Sequence, residues 1–280
     1  MKTIGILGTG TMGAGLAQLA AQAGYDVLFW NPKQESVDAG LASIRKGLHR
    51  LLTRDKISQE EHDSAWSRIR GVVPLEEVKA ADILIETVPE DIDLKCELYR
   101  KLDELCSEEV IFASNTSSLS VTRLGRGSGR PTHFVGMHFF NPVPVMKLVE
   151  VVRGFETSDS TAQRVTDLAE KLGKIPLEVN DYPGFVVNRI VMPMINEAAF
   201  AVMQGVGDAK TIDECMKLGC NHPMGPLALA DLVGIDIVVA ILRSLHHELG
   251  DPRYAPCPLL RKHLEAGWLG VKTGRGFYTY

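Results

Sequence analysis

The sequence predicts an α/β protein, in which a doubly wound, mostly parallel sheet is followed by an all-helical C-terminal domain. Short apolar stretches with strand character alternate with helical patterns as far as Ile175–Val179. This alternation is typical of a parallel sheet that is covered by helices on both faces. From Phe185 onwards helical patterns dominate, up to a glycine-rich tail at Lys272–Tyr278. We therefore expect a sheet domain over residues 1–182 and a helical domain over residues 183–280.

The first three elements form a βαβ unit. Lys2–Leu7 reads as an apolar strand, a helical pattern follows and ends near Gly24, and Asp26–Trp30 reads as the second strand. Residues 8–13, between the first strand and the helix, are Gly-Thr-Gly-Thr-Met-Gly. Glycines at this spacing and in this context are the fingerprint of a Rossmann-type dinucleotide-binding domain.

Each glycine of this fingerprint has a separate role. Gly8 allows the tight turn, Gly10 lets the backbone approach the pyrophosphate, and Gly13 permits close packing of the helix on the strand. The pyrophosphate would lie at the helix N-terminus, where backbone N–H groups and the helix dipole favour an anion. We therefore expect Thr11 and Met12 among the cofactor contacts as well.

The residue after the second strand departs from the fingerprint. An Asp or Glu usually stands there and binds the adenosine ribose, whereas this chain has Asn31. An Asn side chain can hydrogen-bond a hydroxyl group but cannot repel a 2′-phosphate, and Lys33 close by could attract one. NAD is the expected cofactor, and NADP stays open.

The remaining elements follow from periodicity and from helix-terminus signals. The first domain is expected to contain further strands at Asp82–Val88, Val110–Ala113, His133–His138, Val145–Val152 and Ile175–Val179, and helices at Glu35–Leu52, Gln59–Ile69, Ile92–Leu105 and between the last two strands. The second domain is expected to contain helices at Phe185–Gln204, Ala209–Leu218, Leu227–Leu249 and Leu259–Ala266. Asp181 is a candidate N-cap for the first of these helices, and the aromatic residues of Lys272–Tyr278 are expected to pack.

Composition and charge restrict the class of function. A net charge of −5 and the lack of a long Lys/Arg run argue against nucleic acid as the main partner. The N-terminus enters a core strand at once, which argues against a signal peptide, and no apolar stretch reaches about 18 residues, so no membrane span is expected. Five cysteines without zinc-like spacing predict reduced thiols and no metal site. We expect a cytoplasmic protein.

A carboxylate within an apolar strand is the first candidate for catalysis. Glu150 shares one face of its predicted strand with Leu148 and Val152, and an ionised Glu on such a face needs a partner. His138 is the nearest candidate, because the turn-rich residues 141–144 could fold one strand back on the other. A His that is held by a carboxylate is a general base with a fixed tautomer. The alternative is a buried pair that only fastens two strands.

Four further polar residues are candidates for the site. Ser117 follows a strand at the sheet edge where ligands bind in such folds, although it could instead cap a short helix. Asn188 lies on one helical face with the apolar Met192 and Ile195. Its amide could form an interhelical hydrogen bond, or it could donate a hydrogen bond to substrate. Glu90 and Lys95 could reach the cofactor or form an exposed ion pair with each other.

Several long motifs resemble the 3-hydroxyacyl-CoA dehydrogenase family, and the chain length looks most like its short, single-function bacterial branch, the 3-hydroxybutyryl-CoA dehydrogenases. The resemblance covers essentially the whole chain. Its motifs are GTGTMGAG at 8–15, SNTSSL at 114–119, MHFFNPVPVMKLVEV at 137–151, PGFVVNR at 183–189, NHPMGP at 221–226 and KTGRGFY at 272–278.

The resemblance implies a role for each candidate residue. His138 would be the catalytic base with Glu150 as its partner, and Ser117 and Asn188 would contact the substrate near its reacting oxygens. It also implies an acyl-CoA substrate and a homodimer formed through the helical domain. The cofactor contacts that the fingerprint and the resemblance together imply are Gly8, Gly10, Thr11, Met12, Gly13, Asn31, Glu90, Lys95, Ser117 and Asn141.

This chain departs from the family at two positions. Asn31 replaces the usual Asp, and Gly47 stands where some members carry a Ser that contacts CoA. Arg54 and Lys56 lie on the corresponding helical segment and are the expected contacts for the CoA phosphates. Two other functions stay open: a dehydrogenase of a 3-hydroxy acid or sugar acid without CoA, and a non-catalytic NAD-binding structural protein.

Overall fold

An eight-stranded sheet organises the first part of the chain, with the strand order β3-β2-β1-β4-β5-β6-β7-β8. The structure, a computed structural model, describes residues 1–280 and divides into one compact unit over Met1–Asp181 and a second over Tyr182–Tyr280. The strands are β1 Thr3–Leu7, β2 Asp26–Trp30, β3 Ile69–Val72, β4 Ile83–Glu86, β5 Ile111–Ser114, β6 Phe134–Phe139, β7 Leu148–Arg153 and β8 Ile175–Asn180.

All neighbouring strands are parallel except β6 and β7, which are antiparallel. β1 lies between β2 and β4, so the order of the strands reverses at β1. In sheets of this kind ligands bind at the carboxyl ends of the strands, at the point of reversal. The chain segments that follow β1, β2 and β4 therefore define the region in which to look for a site.

Helices flank the sheet of the first unit and form most of the second unit. Those of the first unit are α1 Thr11–Gln22, α2 Gln34–Leu52, α3 Gln59–Ser67, α4 Ile92–Leu105, α5 Val121–Gly127 and α6 Asp159–Lys171. Those of the second are α7 Val187–Met203, α8 Ala209–Cys220, α9 Pro226–Val233, α10 Ile235–Leu249 and α11 Pro258–Glu265. None of these helices combines the length and the apolar character that a membrane span requires.

Each unit has its own apolar core. In the first unit, β-branched residues of the strands pack against the alanine-rich face of α1, and this packing includes Ile4, Ile6 and Ala17, all without exposed surface. In the second unit α7, α9, α10 and α11 share a core that contains Ile195 and Leu242. The aromatic tail residues Phe277 and Tyr278 pack against this core, as the sequence predicts.

Four sequence predictions about elements are wrong at particular residues. The helix predicted over Gln59–Ile69 ends at Ser67, because Ile69–Val72 forms the short edge strand β3 beside β2. The strand predicted from Val145 begins only at Leu148, since the preceding residues form a turn.

The other two corrections concern helix ends. The single helix predicted over Leu227–Leu249 is two helices, broken at Gly234, whose φ of +103° favours glycine. Asp181 does not cap α7. Its carboxylate instead accepts hydrogen bonds from the backbone N–H groups of Val121 and Thr122 in the first turn of α5, the helix whose N-cap is Ser120.

Candidate active site

His138 and Glu150 form a buried pair across the two antiparallel strands. The two residues are directly opposite in the register of β6 and β7, and Nδ1 of His138 lies 2.6 Å from Oε2 of Glu150. Both are almost fully buried, with 5% of His138 and 1% of Glu150 exposed. When Glu150 is ionised, it accepts a hydrogen bond from Nδ1–H of His138, and Nε2 is then the basic nitrogen of the neutral ring. The pairing that the sequence predicts is confirmed.

The glycine-rich turn after β1 fits a dinucleotide on the observed geometry. Gly8 has a φ of +108°, and a Cβ at this residue would lie 2.7 Å from Oγ1 of Thr87. A Cβ on Gly13 would lie only 1.9 Å from the carbonyl oxygen of Gly8. These two glycines are therefore required by the packing of the turn itself, and the Thr87 hydroxyl fixes this turn by donating to the carbonyl oxygens of Leu7 and Gly8.

Gly10 differs from the other two glycines. A Cβ on Gly10 would meet no atom within 4 Å, and its φ is negative, so neither packing nor conformation requires a glycine there. Close approach of a ligand to the backbone would account for the glycine. Gly10 is the N-cap of α1 and provides no capping side chain, which leaves the first N–H groups of the helix, including those of Thr11 and Met12, suited to an anion.

Asn31 follows β2 directly and lies next to this turn. The carbonyl oxygen of Trp30 accepts a 2.9 Å hydrogen bond from the backbone N–H of Gly8, which brings the end of β2 to the first glycine. Oδ1 of Asn31 accepts a 3.1 Å hydrogen bond from the backbone N–H of Lys33. Asn31 therefore occupies the place that the fingerprint gives to the ribose-binding acid.

A buried lysine forms ion pairs with a residue at the end of β4 and with a residue of the loop that follows this strand. Nζ of Lys95 lies 3.0 Å from Glu86 and 2.9 Å from Glu90. Only 1% of Lys95 and none of Glu86 is exposed, while a third of the Glu90 side chain is exposed. An exposed ion pair is thus the wrong interpretation of Glu90 and Lys95. Sequence reasoning missed Glu86, because a single acid at the end of an apolar strand gives no signal of its own.

The two carboxylates of this network differ in their pKa. Burial raises the pKa of Glu86 above its ordinary value, even with Lys95 beside it. Burial also acts to raise the pKa of Glu90, but Lys95 and the hydrogen bonds from Thr116 and Ser117 outweigh it and hold that pKa below its ordinary value. Glu90 is therefore a firmly ionised acceptor.

Glu90 uses its charge to hold the loop that contains Ser117. Its Oε1 accepts hydrogen bonds from the Thr116 hydroxyl at 2.5 Å and from the backbone N–H groups of Ser117 at 2.9 Å and Ser118 at 3.0 Å. No helix begins at Ser118, so Ser117 is not a helix cap; Ser120 caps α5 instead.

The same loop is hydrogen-bonded to β6, the strand that contains His138. Oδ1 of Asn115 accepts a 2.9 Å hydrogen bond from the backbone N–H of Phe139, the residue after His138. The structure thus brings the Ser117 loop to the carboxyl end of β6. Asn115 was not among the residues that the sequence singled out, although it lies in the same stretch of small polar residues, 114–118.

A second buried lysine fixes the turn after Asn141. Nζ of Lys174 donates hydrogen bonds to the carbonyl oxygens of Val143 at 2.5 Å and Met146 at 2.8 Å. Burial lowers the pKa of Lys174. A Cβ on Gly15 would lie 3.0 Å from Cβ of Val143, so this turn packs closely on α1. Asn141 itself is exposed and precedes a cis peptide bond to Pro142. Sequence reasoning missed Lys174.

The predicted CoA contacts lie apart from these networks. Arg54 and Lys56 are exposed in the turn that follows α2. A Cβ on Gly47 would lie 2.1 Å from Oε1 of Gln18, so a Ser there would displace the Gln18 side chain.

Asn188 belongs to the second unit, where it is the second residue of α7. It is 7% exposed, and Met192 and Ile195 of the same helix are also buried, so the predicted shared face is confirmed. The other candidate residues, namely His138, Glu150, Ser117, Asn31 and those of the glycine turn, all belong to the first unit.

Comparison with known proteins identifies the family. Residues 3–182 match the model of the NAD-binding domain of 3-hydroxyacyl-CoA dehydrogenase, and residues 184–280 match the model of its C-terminal domain. A probable 3-hydroxybutyryl-CoA dehydrogenase of Bacillus subtilis is 51% identical over 280 residues, which cover all of this chain and 98% of that protein. The 3-hydroxybutyryl-CoA dehydrogenase of Clostridioides difficile is 46% identical over 99% of each chain.

Solved structures agree with this result. The crystal structure of (S)-3-hydroxybutyryl-CoA dehydrogenase from Ralstonia eutropha is similar with a TM-score of 0.96 and 48% identity, covering 100% of this chain and 99% of that one. With both domain models matched along the chain, this protein belongs to the 3-hydroxyacyl-CoA dehydrogenase family.

Proposed function

We propose that this protein is an NAD-dependent dehydrogenase that interconverts a short-chain (S)-3-hydroxyacyl-CoA and its 3-oxoacyl-CoA, with 3-hydroxybutyryl-CoA and acetoacetyl-CoA as the pair it uses. The buried 2.6 Å contact between His138 and Glu150 is the observation that carries this proposal. His138 lies near the carboxyl end of β6, on the same edge of the parallel strands as the glycine turn after β1. The relatives that carry the name 3-hydroxybutyryl-CoA dehydrogenase support the choice of substrate.

His138 is the general base of the oxidation. Nε2 accepts the proton of the substrate 3-hydroxyl, while Nδ1 keeps its hydrogen bond to Glu150. Glu150 fixes the tautomer and stabilises the positive charge that forms on the ring. A nicotinamide cofactor held by the glycine turn would supply the redox chemistry, as acceptor of the hydride from C3 of the substrate in the oxidation and as its donor in the reduction. In the reductive direction His138 returns the proton to the oxygen.

Ser117 and Asn188 are proposed to hold the substrate oxygens as the alkoxide becomes a carbonyl. The backbone of Ser117 is fixed by Glu90, which Lys95 holds in turn. We propose that Glu90 and Lys95 act on the nicotinamide side in this way, by positioning the loop between β5 and α5. Asn141 would contact the same end of the cofactor from the turn that Lys174 holds.

The adenosine and CoA ends of the site are proposed from the remaining residues. Gly8, Gly10, Thr11, Met12 and Gly13 would bind the pyrophosphate at the start of α1. Arg54 and Lys56, both exposed cations, would bind phosphates of CoA.

Assembly, location and pathway are proposed separately. We propose a homodimer formed through the helical unit, where Ile190, Leu218 and Leu232 are each more than half exposed, with 64%, 83% and 58% of their surface accessible. The cytoplasmic location stays a prediction, and we also propose a place in fatty-acid or butanoate metabolism.

A continuous absorbance assay of NADH oxidation tests the function. Acetoacetyl-CoA should be reduced, and acetoacetate without CoA should be reduced at least about 100-fold less efficiently, since binding energy from the remote CoA part lowers the barrier. Equal efficiency with acetoacetate would instead identify a dehydrogenase of a free 3-hydroxy acid. No turnover with acyl-CoA substrates of any chain length would favour a non-catalytic NAD-binding protein.

A further inference from the structure

Glu86, the last residue of β4, is a carboxylate without exposed surface at the sheet edge where ligands bind in such folds. Its Oε1 accepts a 2.6 Å hydrogen bond from the backbone N–H of Val88 and lies 3.0 Å from Nζ of Lys95. Its Oε2 accepts a 2.7 Å hydrogen bond from the hydroxyl of Ser114. Donors thus meet both oxygens, as an ionised carboxylate requires. Because no part of Glu86 is exposed, it can act on a ligand only through these partners.

One connection runs from Glu86 through Lys95 to the loop that contains Ser117. Nζ of Lys95 also lies 2.9 Å from Glu90, and Lys95 is 1% exposed, so the two carboxylates fix the position of its ammonium group. Glu90 in turn accepts hydrogen bonds from the backbone N–H groups of Ser117 and Ser118. Loss of the charge at Glu86 would leave the ammonium group with a single carboxylate partner, so that Lys95 and Glu90 could both shift.

A second connection runs from Glu86 through the end of β5. Ser114 is the last residue of this strand, and its hydroxyl oxygen also accepts a 3.2 Å hydrogen bond from the backbone N–H of Thr116. The hydroxyl of Thr116 donates to Glu90 and accepts a hydrogen bond from the backbone N–H of Leu119. The two connections therefore meet at Thr116 and Glu90, and both begin at the carboxylate of Glu86.

We propose that Glu86 is a positioning residue for Ser117. Acting through Lys95 and Ser114, it fixes the loop that presents the Ser117 side chain to the substrate oxygen. The inference rests on the proposed function for the contact between Ser117 and substrate. The effect of Glu86 on the loop is independent of the substrate and can be measured without one.

Amide hydrogen exchange, measured by NMR in the substrate-free protein, tests the effect on the loop. In Glu86→Gln one oxygen becomes an NH₂ group, which cannot accept from the donors that meet it. The backbone N–H groups of Ser117 and Ser118 should therefore exchange at least about tenfold faster than in the wild type. Unchanged exchange in Glu86→Gln would overturn the inference.

Tyr99→Phe is the matched control, because it removes a buried hydroxyl that lies 3.3 Å from Oε2 of Glu86 but belongs to neither connection. It should leave the exchange of the two N–H groups within about twofold of the wild type. Ser114→Ala is a milder second variant that interrupts only the connection through β5, and the same groups should exchange about fivefold faster. Where Glu86→Gln does not fold, unchanged exchange in Ser114→Ala would overturn the inference.

A double-mutant cycle with Ser117→Ala tests the catalytic consequence. With acetoacetyl-CoA and NADH, Glu86→Gln should lower kcat by about tenfold, and Ser117→Ala by at least as much. Because Glu86 acts through Ser117, the kcat of the double variant should be within about threefold of that of Ser117→Ala alone. Effects that multiply in the double variant would show that Glu86 acts elsewhere and would overturn the inference. No acyl-CoA turnover by the wild type, with the exchange result as expected, would contradict the proposed function and leave the positioning of the loop by Glu86 standing.

Discussion

His138 and Glu150 are cross-strand neighbours in the only antiparallel pair of the sheet, β6 and β7. Successive side chains of a strand point to opposite faces, so a shift of one residue in this register would move Glu150 to the other face of the sheet. The geometry of the proposed base therefore depends on the register of one hairpin. The turn that sets this register is held by Lys174 through Val143 and Met146.

The first prediction concerns the base itself. His138→Gln should lower turnover by about 10²- to 10⁴-fold, because it removes proton transfer while keeping a polar side chain of similar length. NADH binding, measured by fluorescence, should be retained. The control is His133→Gln, the same substitution just before β6, which should leave both quantities unchanged. Turnover of His138→Gln within tenfold of the wild type would remove His138 from the mechanism.

The second prediction separates a role in catalysis from a structural role of Glu150. Glu150→Gln should keep the fold and substrate KM within about threefold but lower kcat by about 100-fold, since the amide cannot stabilise the charged ring and can favour the wrong tautomer. Glu178→Gln on the neighbouring strand β8 removes an exposed carboxylate and is the matched control. If kcat were unchanged while the melting temperature fell, Glu150 would only fasten the strands.

The third prediction distinguishes the glycines of the turn. Gly10→Ala should fold with a normal melting temperature, because its Cβ meets no protein atom, yet NADH affinity should fall by at least about tenfold. Gly13→Ala should lower the melting temperature as well, since its Cβ would overlap the carbonyl oxygen of Gly8. Unchanged NADH binding in Gly10→Ala would refute the assignment of Gly10 to the pyrophosphate.

Local signals were sufficient for part of the fold. β2 and α4 have the predicted bounds, because both are strongly patterned and have clear ends. β3 was missed because four residues, one of them Gly71, give too short a pattern to separate from the preceding helix. The break at Gly234 was missed because a single glycine within a helical pattern is often tolerated, and only its positive φ reveals the end of the helix.

The candidate site also contains residues with a local sequence signal and residues without one. The glycine turn and the His138–Glu150 pair could be predicted because each has a local pattern. Glu86 and Lys174 could not, because their roles depend on partners that only the fold brings close. Glu86 meets Ser114 of the next strand at 2.7 Å, and Lys174 meets Val143, 31 residues earlier in the chain.

The fourth prediction concerns the buried network. Lys95→Met should lower the free energy of unfolding by about 3 kcal/mol or more, because it leaves Glu86 buried without its cation. Lys101→Met is the matched control on the same helix. Its ion pair with Glu97 is exposed, so its loss should cost no more than about 1 kcal/mol. If urea unfolding gave similar decreases in the free energy of unfolding for the two variants, the result would contradict the importance of the buried pair.

The fifth prediction is a pH dependence in the second unit. His263 is 8% exposed and packs between Trp268 and Phe277, with ring centroids 5.5 and 4.6 Å away. Its Nδ1 is the one buried side-chain nitrogen or oxygen that has no hydrogen-bond partner. Burial lowers the pKa of His263 below its ordinary value of 6.5, and Arg275 acts in the same direction, while Asp231 opposes them.

The sign of the effect follows from this lowered pKa. The unfolded chain takes up the proton more readily than the folded one, so the contribution of neutral His263 to stability is complete above pH 6.5 and is lost as the pH falls below it. His263→Phe should keep the packing and remove this pH-dependent contribution to stability. The melting temperature of the variant should therefore fall less than that of the wild type between pH 7.5 and about pH 5. His247→Phe, at an exposed residue of α10, should keep the wild-type dependence. Parallel curves for His263→Phe and the wild type would show that His263 does not titrate with unfolding in this range.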